Sequence, residues 1–205
     1  MAIGRAADKI FTRVFIVFIM TIYFWLFACA GLLIFGIGPA ARTVTELYMD
    51  GQWDYHEYGL KKGWRRFRTD FWRINAHTWL FLGAGLVLAY NLYLSTTIKG
   101  AYWLVFVQFI IVAALIFDFC LAIFTLMTRS RYAVSFKNAV KLAIVQFFNN
   151  FMQLLGFIIM TGVLILISLK WPGMILFLSP GIYVVVADIL SHQWYAKVDQ
   201  QLGAG

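Results

Sequence analysis

The stretch that decides the fold is residues 101–127, AYWLVFVQFIIVAALIFDFCLAIFTLM, in which Asp118 is the sole charged residue. The hydrocarbon core of a bilayer is about 30 Å thick, and roughly 20 apolar helical residues cross it. This stretch therefore predicts a membrane-spanning helix. Four further stretches predict spans, over residues 14–37, 76–98, 152–169 and 172–194. Because a helix satisfies its own backbone hydrogen bonds in lipid, we expect an all-α, polytopic helical membrane protein of about five spans.

The composition of the whole chain agrees with this fold class. Of the 205 residues, 62% are hydrophobic and 13% are charged, against about 45–50% and about 25% in average globular domains. These values exclude an ordinary soluble domain, and they also exclude a disordered chain, which is poor in hydrophobic residues. We expect residues 1–205 to form a single integral membrane domain.

The distribution of Lys and Arg predicts the orientation of the chain. Seven basic residues lie in residues 38–73 and four in residues 128–151, two segments that we call the first and second basic belts. Basic loops stay on the cytoplasmic side, so both belts and the C-terminus are predicted to be cytoplasmic. The N-terminal Arg5, Lys9 and Arg13 then lie outside if the first segment spans once, and inside if it is re-entrant. We expect a single span.

Each basic belt contains an amphipathic pattern. Residues 60–74, LKKGWRRFRTDFWRI, repeat apolar side chains at steps of three and four, which predicts one apolar helix face. Such a helix lies in the membrane interface, or packs its apolar face on the spans of the protein itself. Residues predicted to contact anionic lipid headgroups are Lys61, Lys62, Arg65, Arg66, Arg68, Arg73, Lys137 and Lys141. Residues 136–150 repeat the pattern 76 positions later, which suggests a duplicated unit of amphipathic helix, span and span.

Polar residues inside the predicted spans are candidates for function. A charge within a bilayer is costly and marks a substrate or ion pathway by default. Asp118 lies far from either end of the third span, and Asp188 lies in the fifth. His192 and Asn91 are weaker candidates. The alternative for each is a hydrogen bond between helices, and for the two carboxylates also extension toward the membrane interface.

Gly and Pro residues predict breaks in two of the spans. The pair Gly38-Pro39 ends the first apolar stretch, and Pro at the start of a helix favours a new helix there. Pro180 lies inside the fifth stretch and predicts a kink.

The sequence contains no signature of catalysis. It lacks the G-x-S-x-G, P-loop and dinucleotide motifs and any His/Cys spacing of a metal site. We therefore expect no enzymatic activity, no cofactor and no bound metal. No nucleic-acid recognition motif accompanies the net charge of +8, so we expect no nucleic-acid partner.

Several of these residues resemble the YesL-like family of small bacterial integral membrane proteins. The resemblance rests on GIGPAA at 36–41, on ELY at 46–48, on GWRRFRTDF at 63–71 and on the helix between Arg131 and Ala139. It implies a bacterial cytoplasmic membrane, and an accessory role in carbohydrate import beside sugar ABC transporters. Asp118 and Asp188 match no motif of that family.

Two functional hypotheses follow. In the first, the protein is a non-enzymatic accessory or scaffold component of a carbohydrate-uptake system, with the anionic bilayer, ABC transporter subunits or a second copy of itself as partners. In the second, it is a small transporter or channel that uses Asp118 and Asp188.

Overall fold

The computed structural model describes residues 2–98 and 102–201, and in these residues the chain forms helices and no strands. The helices are α1 (Ala2–Ala30), α2 (Ile37–Gly51), a 3₁₀ helix (Tyr55–Glu57), α3 (Leu60–Arg68), α4 (Phe71–Thr97), α5 (Trp103–Arg131), α6 (Phe136–Asn149), α7 (Phe151–Lys170), α8 (Gly173–Phe177) and α9 (Ser179–Gln201). The predicted all-α class is confirmed.

Four of the described helices are long and apolar enough to cross a bilayer. They comprise Ala7–Ala30, Phe71–Thr97, Trp103–Arg131 and Phe151–Lys170. These helices indicate a multi-pass membrane protein and correspond to the first four predicted spans. The turn predicted at Lys99-Gly100 lies outside the described residues, as does Ala101, where the third span was predicted to begin.

The fifth predicted span, residues 172–194, is divided between two helices. The chain forms the short α8 there, breaks at Leu178, and begins again as α9 at Ser179. Pro180 is the second residue of α9, where its missing N–H costs no intrahelical hydrogen bond. The break lies at Leu178, two residues before Pro180, where the sequence predicted a kink, and α8 and α9 are not among the four candidate spans.

The first predicted span, residues 14–37, is also corrected at its end. Helix α1 ends at Ala30, and residues 31–36 form a tight turn in which Leu32 and Leu33 have positive φ angles of 58° and 59°. A side chain on Gly36 would collide with the carbonyl oxygen of Ala28, so the turn requires glycine there. The break thus precedes Gly38 and Pro39, which lie in the first turn of α2.

The chain divides into two compact units. The first comprises Met1–Phe71 with Asn150–Gly205, and the second comprises Trp72–Asn149. In the first unit, α2 packs back along α1, and Val44 and Leu47 of α2 are buried with Ile16 and Met20 of α1. In the second unit, α6 packs back along α5, and the ring centroids of Phe117 and Phe147 are 4.7 Å apart. Each unit therefore contains a short helix that folds back along the long apolar helix preceding it, and we call α2 and α6 the fold-back helices.

Helix α9 packs against both α1 and α7 in the first unit. The N–H of Gly181 donates a hydrogen bond of 3.1 Å to Oγ1 of Thr21 on α1. On the other side, Nε2 of Gln153 on α7 donates to Oγ of Ser191, at 3.1 Å. The predicted hairpin of the last two apolar stretches is thus formed by α7 and α9, with α8 inserted between them. The duplication stays a prediction, and α3 and α6 begin at residues 60 and 136, the predicted offset.

Candidate functional site

The most distinctive polar region of the first unit lies on α2, the 3₁₀ helix and α3. Helix α3 packs its uncharged side on α1: Phe67 is buried, and its ring stacks on that of Phe27 with 5.3 Å between centroids. Gly63 allows this approach, because a β-carbon at that position would lie 2.8 Å from Cζ of Phe27. The charged side chains of α3 are consequently divided between two other faces of the helix.

One of these faces forms an ion-pair network with α2 and the 3₁₀ helix. Nζ of Lys62 lies 2.7 Å from Oε2 of Glu57 and 3.4 Å from Oδ2 of Asp50. Arg66 donates to the same Oδ2 of Asp50 and lies 3.9 Å from Oε2 of Glu46. The network continues through Glu46 to Nε of Arg42, at 2.5 Å. Lys62 and Arg66 therefore hold α3 to α2, and we call these three helical segments the paired platform.

The other face of α3 is exposed and cationic. Lys61, Arg65 and Arg68 are exposed there, and in the part of the chain that the structure describes none of the three has a hydrogen-bond or ion-pair partner for its charged group. With Trp64 and Thr69 they line an open groove of about 510 Å³, which we call the cationic groove. Of the five cations of α3, two therefore form ion pairs with α2 and the 3₁₀ helix, and three are exposed.

The remaining residues of the predicted basic belts lie elsewhere. The predicted continuous stripe over residues 60–74 is wrong, because Thr69 and Asp70 interrupt the helix and Asp70 has a positive φ of 57°. Arg73 consequently belongs to the first turn of α4, where it is exposed. Lys137 and Lys141 are exposed on α6. No partner for these three cations is found among the described residues.

Two tyrosine hydroxyls, that of the half-buried Tyr23 and that of the buried Tyr58, fix the connection between α2 and α3. The hydroxyl of Tyr23 on α1 donates to the carbonyl oxygen of Tyr58, at 2.8 Å, and that of Tyr58 donates to the carbonyl oxygen of Gln52, at 2.6 Å. Burial raises the pKa of Tyr48 to about 12, an effect that the charge of Asp188 increases and that of Arg13 opposes. Burial also raises the pKa of Tyr58. The phenols of Tyr48 and Tyr58 are therefore protonated at neutral pH.

The structure places the two intramembrane candidates in different units. Asp188 lies on α9 in the first unit, half-buried and close enough to Tyr48 to influence its ionisation. Asp118 lies on α5 in the second unit, also half-buried. A β-carbon on Gly85 of α4 would lie 3.2 Å from Oδ2 of Asp118, so the carboxylate sits against a helix surface that has no side chain. Asp118 has no hydrogen bond or ion pair to any described residue.

Helix α5 carries further polar groups on the same side as Asp118. Thr125 and Thr128 follow it at spacings of seven and ten residues, which keeps them near one helix face. Both are buried, and neither hydroxyl has a hydrogen-bond partner among the described residues. Gln146 of α6 is 1% exposed, and neither polar atom of its amide has a hydrogen-bond partner in the part of the chain that the structure describes. Sequence reasoning missed Gln146, because nothing in the pattern of α6 distinguishes it from the solvated amides nearby.

The two weaker candidates have ordinary surroundings. Nδ2 of Asn91 donates to the carbonyl oxygen of Val87, one turn earlier on α4, at 2.8 Å. His192 is exposed on α9. Sequence reasoning also missed a contact between Nη1 of Arg129 and Nδ1 of His77, which are 2.7 Å apart in the second unit. In that unit the ring of His77 stacks on Phe136, so these residues join α4, α5 and α6.

These features define the protein as an all-α, multi-pass membrane protein whose most distinctive polar region is the paired platform with its cationic groove. Residues 17–92 match the model of a protein family of unknown function, DUF624. The matched segment contains the whole platform and groove. No curated protein and no solved structure matches the chain. Among the described residues, no group of three His, Cys, Asp or Glu side chains is arranged to hold a metal ion.

Proposed function

We propose that the protein is a non-enzymatic accessory or scaffold component of a membrane complex, and that this complex is a carbohydrate-uptake system of the ABC transporter class. The paired platform is the observation that carries the first part of the proposal. It is a largely polar surface that ion pairs hold together on an apolar helix bundle, and it lies within the segment that matches DUF624. The carbohydrate-uptake system and the YesL-like name depend on the resemblance of the sequence alone.

The platform is suited to a binding role because its charges are fixed by one another. Two long cationic side chains, Lys62 and Arg66, are each held by two carboxylates, so little side-chain entropy is left to lose when a partner binds. Asp50 is shared by both cations and is still 45% exposed. A partner subunit can therefore reach this carboxylate without dismantling the network.

The test is copurification of the tagged protein from its native membrane in a mild detergent. We expect ABC permease and ATPase subunits of a sugar importer to be recovered with the wild type. Asp50→Asn removes the carboxylate that Lys62 and Arg66 share and should reduce this recovery. Asp70→Asn is the matched control, because Asp70 is exposed, lies in the same segment and forms no ion pair to a described residue.

Two results would contradict the proposal. Absence of transporter subunits from the wild-type sample, while other complexes of that membrane stay intact, argues against an accessory role in uptake. Equal recovery with Asp50→Asn and Asp70→Asn would remove the platform from the interaction.

The second candidate function is a small transporter or channel. It is favoured by the polar groups on α5 and α6, namely Asp118, Thr125, Thr128 and Gln146, which lack partners among the described residues. Unpaired polar groups are costly in an apolar environment and are retained along ion or substrate pathways. Reconstituted vesicles should then show cation flux that falls in Asp118→Asn but not in Asp70→Asn. Absence of flux with the wild-type protein, or flux that Asp118→Asn leaves unchanged, removes Asp118 from any such mechanism.

A further inference from the structure

The cationic groove lies on the exposed face of α3, whose cations take no part in the ion pairs of the paired platform. We propose that it binds the phosphate headgroup of an anionic phospholipid, as a discrete site rather than as a diffuse basic surface. This inference is independent of the accessory function, since it concerns the bilayer and not a protein partner.

The first argument is the division of charge on α3. Five of its nine residues are cationic, and two of these, Lys62 and Arg66, are neutralised by the platform. The other three, Lys61, Arg65 and Arg68, follow one another at spacings of four and three, so they share one face. They have no carboxylate within pairing distance in the described chain. Three unneutralised cations around one groove attract an anion, and phosphate oxygens accept hydrogen bonds from guanidinium groups in particular.

The second argument is the level of the groove along the bundle. Trp64 and Phe67 of α3 pack on Phe27 of α1, with ring centroids 6.2 and 5.3 Å away. Phe27 lies three residues before Ala30, where the α1 candidate span ends. The C-terminal end of α3 therefore lies beside the end of a span, which is the level of lipid headgroups. Arg68 is at this end, and Arg65 and Lys61 are one and two turns away, within reach of the interface by extension of their long side chains.

The third argument is the aromatic residue in the groove. Trp64 is 43% exposed although it stacks on Phe67, with 5.6 Å between ring centroids. Tryptophan is enriched at the membrane interface because its ring is amphipathic. Here the ring offers an apolar surface to the glycerol and upper acyl region of a lipid whose phosphate lies among the cations. The hydroxyl of Thr69 is already bonded to the carbonyl oxygen of Arg65, at 2.9 Å, and is not required for the ligand.

The test uses the full-length protein in vesicles that contain equal amounts of phosphatidylglycerol and phosphatidylcholine. Native mass spectrometry of the released protein counts each lipid that stays bound. The groove variant carries Lys61→Gln, Arg65→Gln and Arg68→Gln. The control variant carries Lys9→Gln, Lys170→Gln and Lys197→Gln, and so loses the same charge at three exposed cations outside the groove and outside both basic belts.

We expect the wild type and the control variant to retain phosphatidylglycerol over phosphatidylcholine, and the groove variant to lose this preference. A basic residue near a charged membrane surface contributes about five-fold to binding, so the triple change should weaken it roughly a hundred-fold. Each single substitution should weaken it about five-fold. These singles keep the test decisive if the triple variant does not fold, which circular dichroism will show.

Three results would overturn the proposal. Equal preference for phosphatidylglycerol in the groove and control variants means that the groove is not the site. Equal loss in both variants means that only net charge matters. Displacement of the lipid by inorganic phosphate at the same concentration means that the groove binds a free anion rather than a headgroup.

Discussion

The close contact between α1 and α9 predicts a large effect of a single methyl group at Gly181. A β-carbon there would collide with the carbonyl oxygen of Val17, and would lie 2.9 Å from Oγ1 of Thr21. Ordinary contact begins at 3.4 Å, and the carbonyl oxygen of Val17 is closer to this β-carbon than Oγ1 of Thr21 is, so the two helices must separate by about an ångström. The hydrogen bond of 3.1 Å from Gly181 to Thr21 would then exceed the length at which such a bond is effective.

The magnitude follows from the two losses. Overpacking in a closely packed core costs roughly 1–3 kcal/mol, and a lost hydrogen bond costs about 1 kcal/mol. Alanine also gains up to about 1 kcal/mol over glycine in a helix. The matched control is Gly162→Ala on α7, because a β-carbon there meets no atom of the described residues within 4 Å. Since the helix preference is common to both variants, Gly181→Ala should be less stable than Gly162→Ala by roughly 2–4 kcal/mol.

The assay is reversible unfolding of the purified protein in mixed micelles by increasing SDS, followed by far-ultraviolet circular dichroism. The free energies of unfolding of the wild type and both variants are compared under identical conditions. If Gly181→Ala were as stable as Gly162→Ala, the packing of α9 on α1 would be wrong.

Two further predictions use the same unfolding assay. Arg66→Ala removes a cation that contacts Asp50 and Glu46, and should lower the free energy of unfolding by about 0.5–1 kcal/mol, less at high salt. Arg65→Ala, whose charged group has no partner among the described residues, should change this free energy by under about 0.5 kcal/mol. Equal effects of the two substitutions would refute the platform. Burial raises the pKa of Tyr48 from 10.0 to about 12, so the unfolded chain loses this proton first and stability should fall as the pH rises from 10.0 to about 12. Tyr48→Phe should weaken this loss of stability with pH, whereas Tyr102→Phe, at an exposed position, should not. The same dependence of stability on pH in both variants would show that Tyr48 does not cause the loss.

Hydropathy predicted the long helices well because it measures the property that drives their insertion. The fourth predicted span, residues 152–169, agrees with α7 to within one residue at each end. Hydropathy failed at the end of α1 because residues 31–36 are apolar and yet form a turn. Leu32 is 79% exposed and Ile34 61% exposed, and a turn that presents apolar side chains outward cannot be distinguished from a span by composition. Gly31 and Gly36, at the two ends of this turn, were the residues from which the turn could have been predicted.

The candidate site was predictable in composition but not in geometry. The pattern of α3 identified a basic helix with one apolar face, and the structure places Phe67 on that face, buried against Phe27. The sequence pattern could not show which cations form ion pairs, because this depends on where α2 places Glu46 and Asp50. Lys61 and Lys62 are adjacent and chemically identical, yet one lines the groove and the other forms two ion pairs. Such a distinction arises only from packing between elements.

The fold-back helices have a consequence for how the protein is made. Helices α2 and α6 have 15 and 14 residues, which is too short to cross a bilayer, and they carry charged side chains that resist insertion. The long apolar helices can enter the membrane one by one during synthesis, whereas α2 and α6 gain a stable position only after α1 and α5 offer a surface to pack on. We therefore expect assembly in two stages, in which α2 and α6 pack only after α1 and α5 have inserted.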